Sequence, residues 1–167
     1  MFNYICANNI YWNGYYGSFL GEYKPRSKNI QAPLELSLIE ALYLSKNYSL
    51  NVIKGTTILT IDELEEIGRH FVRRFTELYA VYEDLRKRGF IVRRGLKFGC
   101  DYLVYRYGPG IDHAPYGVQV YAGNEELDPI ELVRMGRLLH SVRKRLIIAI
   151  YLKTNCIKYY ILNWWKP

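Results

Sequence analysis

Two apolar runs near the end of the chain, residues 146–152 and 157–164, are separated only by Lys153-Thr154-Asn155-Cys156. Each has the length of a strand and is rich in β-branched and aromatic residues, so the pair reads as two strands joined by a short turn. Strands need neighbours to be stable, and the upstream sequence offers them. Residues 90–92 begin one strand, 102–105 form a second and 117–122 a third. Residues 129–140 read as a helix, with Asp128 as N-cap and Pro129 in the first turn. A longer helix over 71–87, in one or two pieces, stops at Gly89 as its C-cap. This half of the chain therefore predicts an α/β unit with a central mixed sheet.

The first half is less regular. Residues 1–31 read as short strands and turns: Ile10-Tyr11-Trp12 is broken by Asn13-Gly14, a hairpin signal, and Gly17 and Gly21 follow. Residues 34–46 carry Leu34, Leu38, Ala41, Leu42 and Ser45 on one helical face. Residues 50–53 and 57–61 are strand-like. Asp62 suits an N-cap with Glu65 three residues on, for a helix from Glu63 towards Arg69. No internal repeat or low-complexity linker is present. The fold class expected is α/β (α+β): a small mixed N-terminal domain over 1–75 and a C-terminal α/β domain over 76–167.

Charge divides at the same place. The net charge of +7 is carried mostly by residues 76–167, with 15 Lys/Arg against 9 Asp/Glu; residues 1–75 hold 8 against 7. The second half is thus the natural binder of a polyanion, although a solvated basic face has the same composition. Three cysteines without a CxxC pair read as free thiols in a reducing, cytoplasmic setting. No apolar run approaches the roughly 20 residues that cross a bilayer, and no signal-peptide pattern opens the chain.

The second half also holds a phenol, an imidazole and an ammonium without a metal-ligand cluster: Tyr105 at the end of a predicted strand, His113 after the loop Gly108-Pro109-Gly110-Ile111-Asp112, and Lys144 between Arg143 and Arg145. RNA carries its own nucleophile, the 2′-hydroxyl. Cleavage then needs a proton acceptor, a proton donor and a fixed positive charge on the phosphate oxygens. Tyr105, His113 and Lys144 match these tasks in that order. Taken singly, each also fits a plain role: a packed strand residue, a loop histidine, a solvated lysine. His140 fits a structural role on its helix. Asp101 and Asp112 have no second ligand at useful spacing for a metal. Glu22-Tyr23-Lys24 resembles half of a metal-dependent DNA nuclease site but lacks the upstream acidic element.

Over residues 78–165 the chain resembles the archaeal tRNA-splicing endonuclease family. The resemblance is carried by Tyr82-Glu83-Asp84-Leu85-Arg86-Lys87-Arg88-Gly89-Phe90, by Gly95-Leu96-Lys97-Phe98-Gly99-Cys100-Asp101-Tyr102-Leu103-Val104-Tyr105, by Gly108-Pro109-Gly110 with His113-Ala114-Pro115-Tyr116, and by His140-Ser141-Val142-Arg143-Lys144. It implies a C-terminal nuclease domain that cuts precursor tRNA at bulge-helix-bulge intron boundaries without metal or cofactor, leaving 2′,3′-cyclic phosphate and 5′-hydroxyl ends. Tyr105 would be general base, His113 general acid and Lys144 the stabiliser of the transition state. Arg137 would form one arm of a clamp on a bulged base, with Lys158, Trp164 and Trp165 as candidates for the other. The family's self-assembling members carry an acidic loop between the last two strands. Here that turn is Lys153-Thr154-Asn155-Cys156, so the resemblance implies a homodimer through the C-terminal domain joined by a second, structural subunit in an α2β2 heterotetramer. A non-cleaving RNA-binding or scaffolding subunit of such an assembly is the alternative.

Overall fold

A computed structural model of the chain describes residues 3–22, 24–152 and 156–163. The chain divides into two compact units, Met1–Phe75 and Thr76–Pro167.

The first unit begins with a helix, α1 (Tyr4–Gly14), where short strands and a hairpin turn were expected. Tyr11 and Asn8 lie one turn apart on its buried side, and Tyr15 ends it in a left-handed conformation (φ 54°). Asn8 is used twice by the segment ahead: its amide donates to the Ile30 carbonyl at 2.8 Å and accepts from the Ile30 N–H at 3.0 Å. Gly14 serves packing rather than a turn, since a Cβ there would meet the Tyr16 ring at 2.2 Å. Short strands β1 (Ser18–Phe19) and β2 (Leu34–Glu35) then pair antiparallel.

Because Leu34 is committed to that pairing, helix α2 (Leu38–Tyr48) starts later than its apolar spacing predicts. Ser37 and Glu40 form its capping box, and the second Glu40 oxygen accepts the buried Gly17 N–H at 2.9 Å. Strands β3 (Ile53–Lys54) and β4 (Thr57–Ile58) form a small hairpin. Helix α3 (Ile61–Phe71) is capped by Thr60 with Glu63, two residues ahead of the expected Asp62 and Glu65. Glu65 instead receives Lys46 and Arg69.

The second unit is entered along α4 (Phe75–Lys87), whose first residue closes the first unit; residues 72–74 separate it from α3, with Arg74 at φ 59°. Gly89 (φ 86°) ends the helix: its N–H reaches the Arg86 carbonyl and the Phe90 N–H reaches the Leu85 carbonyl. Then come β5 (Ile91–Arg94), a 3-10 turn at Leu96–Phe98, β6 (Tyr102–Tyr105), β7 (Tyr116–Ala122), α5 (Pro129–Ser141), β8 (Arg145–Leu152) and β9 (Cys156–Leu162). The expected Asp128 cap is present, its carboxylate accepting from the Ile130 N–H at 2.8 Å.

These strands form one sheet in sequence order. All neighbours are antiparallel except β7 and β8, which run parallel because α5 carries the chain back between them. The sheet is mixed, and helices cover both faces. On one face Val92, Tyr102, Val104, Val118 and Val120 are buried, and the Tyr102 hydroxyl donates to the Leu78 carbonyl of α4 at 2.9 Å. On the other, Leu103, Tyr121, Leu146 and Ile148 pack with Leu139 of α5. Gly117 lets α5 come close: a Cβ there would meet the Leu139 methyls at 2.7 Å. No described helix is long and apolar enough to cross a membrane.

Candidate active site

Strand pairing decides what meets at one end of this sheet. Antiparallel β6 and β7 place the end of β6 beside the start of β7 (Val104 opposite Tyr116). Parallel β7 and β8 place the start of β7 beside the start of β8 (Tyr116 opposite Arg145). Tyr105 closes β6, His113 lies in the connection to β7, and Lys144 immediately precedes β8. The three predicted residues therefore belong to one end of the sheet.

Tyr105 is half-buried, with its ring against the Leu103–Leu139 cluster. His113 is exposed. Its turn is built on two glycines in backbone conformations that few other residues adopt, Gly108 (φ 122°) and Gly110 (φ 88°). The Gly108 carbonyl accepts the N–H groups of Ile111 and Asp112, each at 3.1 Å. The Asp112 carboxylate accepts three further N–H groups, from Arg106 at 3.0 Å, Tyr107 at 3.4 Å and Gly108 at 2.8 Å.

Lys144 is delivered by the way α5 ends. Arg143 turns left-handed (φ 57°), at a cost of about 1–2 kcal/mol for a residue with a Cβ. The Lys144 N–H then reaches back to the Leu139 carbonyl at 2.8 Å. The Lys144 ammonium donates to the Ala114 carbonyl at 2.9 Å and lies 5.3 Å from the centre of the Phe98 ring. One residue on, the Arg145 N–H donates to the Pro115 carbonyl at 2.9 Å. The lysine is thus tied to the residue that directly follows His113, thirty positions earlier in sequence.

Beside Lys144 runs a cleft of about 380 Å³ between α5 and the ends of β8 and β9, walled by Leu132, Val133, Gly136, His140, Leu146 and Leu162. His140 is exposed in this wall, in the last turn of α5. Arg137 is exposed on the same helix. Lys158 is exposed on β9 opposite Ile150, five residues along β8 from Arg145. At about 3.3 Å per residue this is roughly 17 Å from the Lys144 end, so a single chain does not bring the two lysines together. Trp164, Trp165 and the turn Lys153-Thr154-Asn155 lie outside the described residues.

Neighbouring groups have other tasks. Asp101 accepts the Val120 N–H at 2.8 Å, and Cys100 is buried, its thiol pushed up to about 11 chiefly by that burial and further by the nearby Asp101 charge. Among the described residues, no three His, Cys, Asp or Glu side chains gather as a metal site would need. The sequence reading missed two contributors, Phe98 beneath the lysine and Asp112 as the fastener of the histidine turn. Asp112 had a local signal, since an aspartate closing a Gly-Pro-Gly turn is a habitual acceptor for backbone N–H groups.

Two family models match the chain: tRNA intron endonuclease, N-terminal domain, over residues 3–65, and tRNA intron endonuclease, catalytic C-terminal domain, over residues 75–159. A tRNA-splicing endonuclease of Hyperthermus butylicus is 46% identical over 170 residues, covering 100% of this chain and 93% of the relative. Those of Saccharolobus islandicus and Saccharolobus solfataricus are each 46% identical over 160 residues, covering 94% of this chain and 88% of the relative. With both halves matched and the relatives aligned over nearly their whole length, the chain belongs to the tRNA intron endonuclease family.

Proposed function

We propose that this chain is a catalytic subunit that cuts precursor tRNA at bulge-helix-bulge intron boundaries by metal-independent transesterification. The 2′-hydroxyl attacks the adjacent phosphorus, and its proton passes to Tyr105. The O2′–P bond forms as the P–O5′ bond breaks, and His113 gives the leaving 5′ oxygen its proton. The products are a 2′,3′-cyclic phosphate and a 5′-hydroxyl. Lys144 holds the charge that grows on the non-bridging oxygens, where a fixed cation stabilises the transition state more than the ground state.

The observation that carries this reading is the bond from the Lys144 ammonium to the Ala114 carbonyl. It sets the cation against the backbone that bears the acid, at the sheet end where β6 delivers the phenol. Arg137 and Lys158, with Trp164 and Trp165, are the proposed contacts to the bulged bases. Lys158 would serve the cleft of another protomer, in keeping with its distance along β8. The working assembly is a homodimer through the C-terminal domain with a second structural subunit, α2β2, acting in the cytoplasm. Strand β9 is a sheet edge with Tyr160, Ile161 and Leu162 exposed, a surface suited to pairing with another chain.

The test is cleavage of a bulge-helix-bulge RNA by the purified chain, alone and with candidate partner subunits, in the presence of EDTA. Cyclic-phosphate ends are expected. His113→Ala and Lys144→Ala should each slow cutting by about 10³-fold or more while RNA binding persists. A magnesium requirement, or normal cutting by His113→Ala, would contradict the mechanism. Binding without cutting in every combination of subunits would leave the scaffolding role as the correct one.

A further inference from the structure

The turn that carries His113 has an unusual economy of support. Tyr107 and Ile111 are 66% and 68% exposed and His113 itself is exposed, so apolar packing does not hold the imidazole. Gly108 and Gly110 leave the backbone free to adopt other paths. Two anchors flank the histidine. After it, Ala114 is buried at 2% exposure and its carbonyl accepts the Lys144 ammonium. Before it, the Asp112 carboxylate accepts the N–H groups of Arg106, Tyr107 and Gly108. Those three residues directly follow Tyr105, so one side chain fastens the exit from the phenol to the entrance of the imidazole.

We propose that Asp112 is a positioning residue for His113, holding the acid in register with Tyr105 through the three backbone bonds to residues 106–108. The inference rests on His113 being the proton donor. Asp112 does not touch substrate; both its oxygens are used by the turn, Oδ2 by Arg106 and Oδ1 by Tyr107 and Gly108. Releasing it removes every side-chain tie to residues 106–108 and leaves only the Gly108 carbonyl, which accepts the Ile111 and Asp112 N–H groups, to hold the entrance to His113. General-acid transfer requires hydrogen-bond reach to the leaving oxygen, and a displacement of about 1 Å costs about 100-fold in rate.

Single-turnover cleavage by the active assembly decides the matter, with two substrates that differ at one atom. One has the natural 5′ oxygen at the scissile bond; the other has a bridging 5′ sulfur, which leaves without needing a proton. Asp112→Ala is expected to cut the oxygen substrate about 100-fold more slowly, with RNA affinity essentially unchanged and a melting temperature lowered but still well above the assay temperature. Asp112→Asn keeps one oxygen for Tyr107 and Gly108 and should lose only about 10-fold. The sulfur substrate should bring both Asp112→Ala and His113→Ala back close to the unmodified enzyme. Adding Asp112→Ala to His113→Ala should cost nothing more, because the two act through one group.

The proposal is overturned if Asp112→Ala cuts the oxygen substrate normally, or is as slow on sulfur as on oxygen while His113→Ala is restored. Wild-type rates for His113→Ala on both substrates would instead overturn the role given to His113, a separate failure. If Asp112→Ala does not fold, Asp112→Asn alone must show the oxygen-specific loss.

Discussion

The two units of this chain secure their folds by different means. In the first, strands are only two residues long, and the chain path is fixed by side chains that bond to distant backbone: Asn8 to Ile30, Glu40 to Gly17. In the second, a five-stranded sheet is sandwiched by apolar helix faces, with polar ties such as Tyr102–Leu78 and Tyr159–Asp84 added to that apolar core. The contrast gives a physical reason for the place of the proposed chemistry. A sheet core fixes strand ends to a fraction of an ångström, and groups mounted just past those ends inherit that precision without being buried.

The contrast is sharpened most by Leu139→Ala. This side chain is 0% exposed against Gly117, so its truncation should cost about 3 kcal/mol or more in chemical denaturation and weaken the packing from which Lys144 departs. Glu40→Ala should come next, at about 2 kcal/mol, because it leaves the buried Gly17 N–H without its acceptor and opens the α2 cap. If Glu40→Ala proved the more damaging of the two, the division between apolar and polar support would be wrong.

The smallest effect is expected from Tyr159→Phe, about 1 kcal/mol at neutral pH. Its hydroxyl donates to Asp84 at 2.7 Å, where Arg88 also bonds at 2.8 Å, so β9 is latched to α4. Burial favours the neutral form of Asp84, but the Arg88 and Tyr159 hydrogen bonds outweigh it and hold the carboxyl below its ordinary value. A lowered carboxyl contributes stability above the unfolded value near 4 and loses it as pH falls through the folded value. The difference between Tyr159→Phe and the parent protein should therefore shrink on acidification below about pH 4. Burial, then the bond to Asp84, raises Tyr159 itself, so that part of the stability is present below about pH 10 and lost above it. Melting curves across pH check both arms; a constant difference would show that the latch contributes nothing through Asp84.

The same division explains what could be read from sequence. Strands 102–105 and 117–122, the Asp128-Pro129 helix start and the Gly89 stop declare themselves within a few residues, and each stands close to where it was expected. Helix α1 did not, because Asn13-Gly14 carries a turn signal locally, whereas Gly14 is demanded by the Tyr16 ring and Asn8 by Ile30. At α3, two overlapping cap patterns compete. Thr60 prevails with Glu63, while Glu65 is taken by Lys46 from another helix. The meeting of Lys144 with Ala114 is non-local and had no local signal; the sequence grouped Tyr105, His113 and Lys144 by their chemistry and by the family resemblance, not through that contact.

The single parallel pairing in the sheet has one more consequence. Because α5 crosses over between β7 and β8, both strands start on one rim and finish on the other. The connections that hold the proposed catalytic residues His113 and Lys144 occupy the starting rim, and residues 123–128 leave from the opposite one. Insertions there would lengthen the crossover without altering strand register.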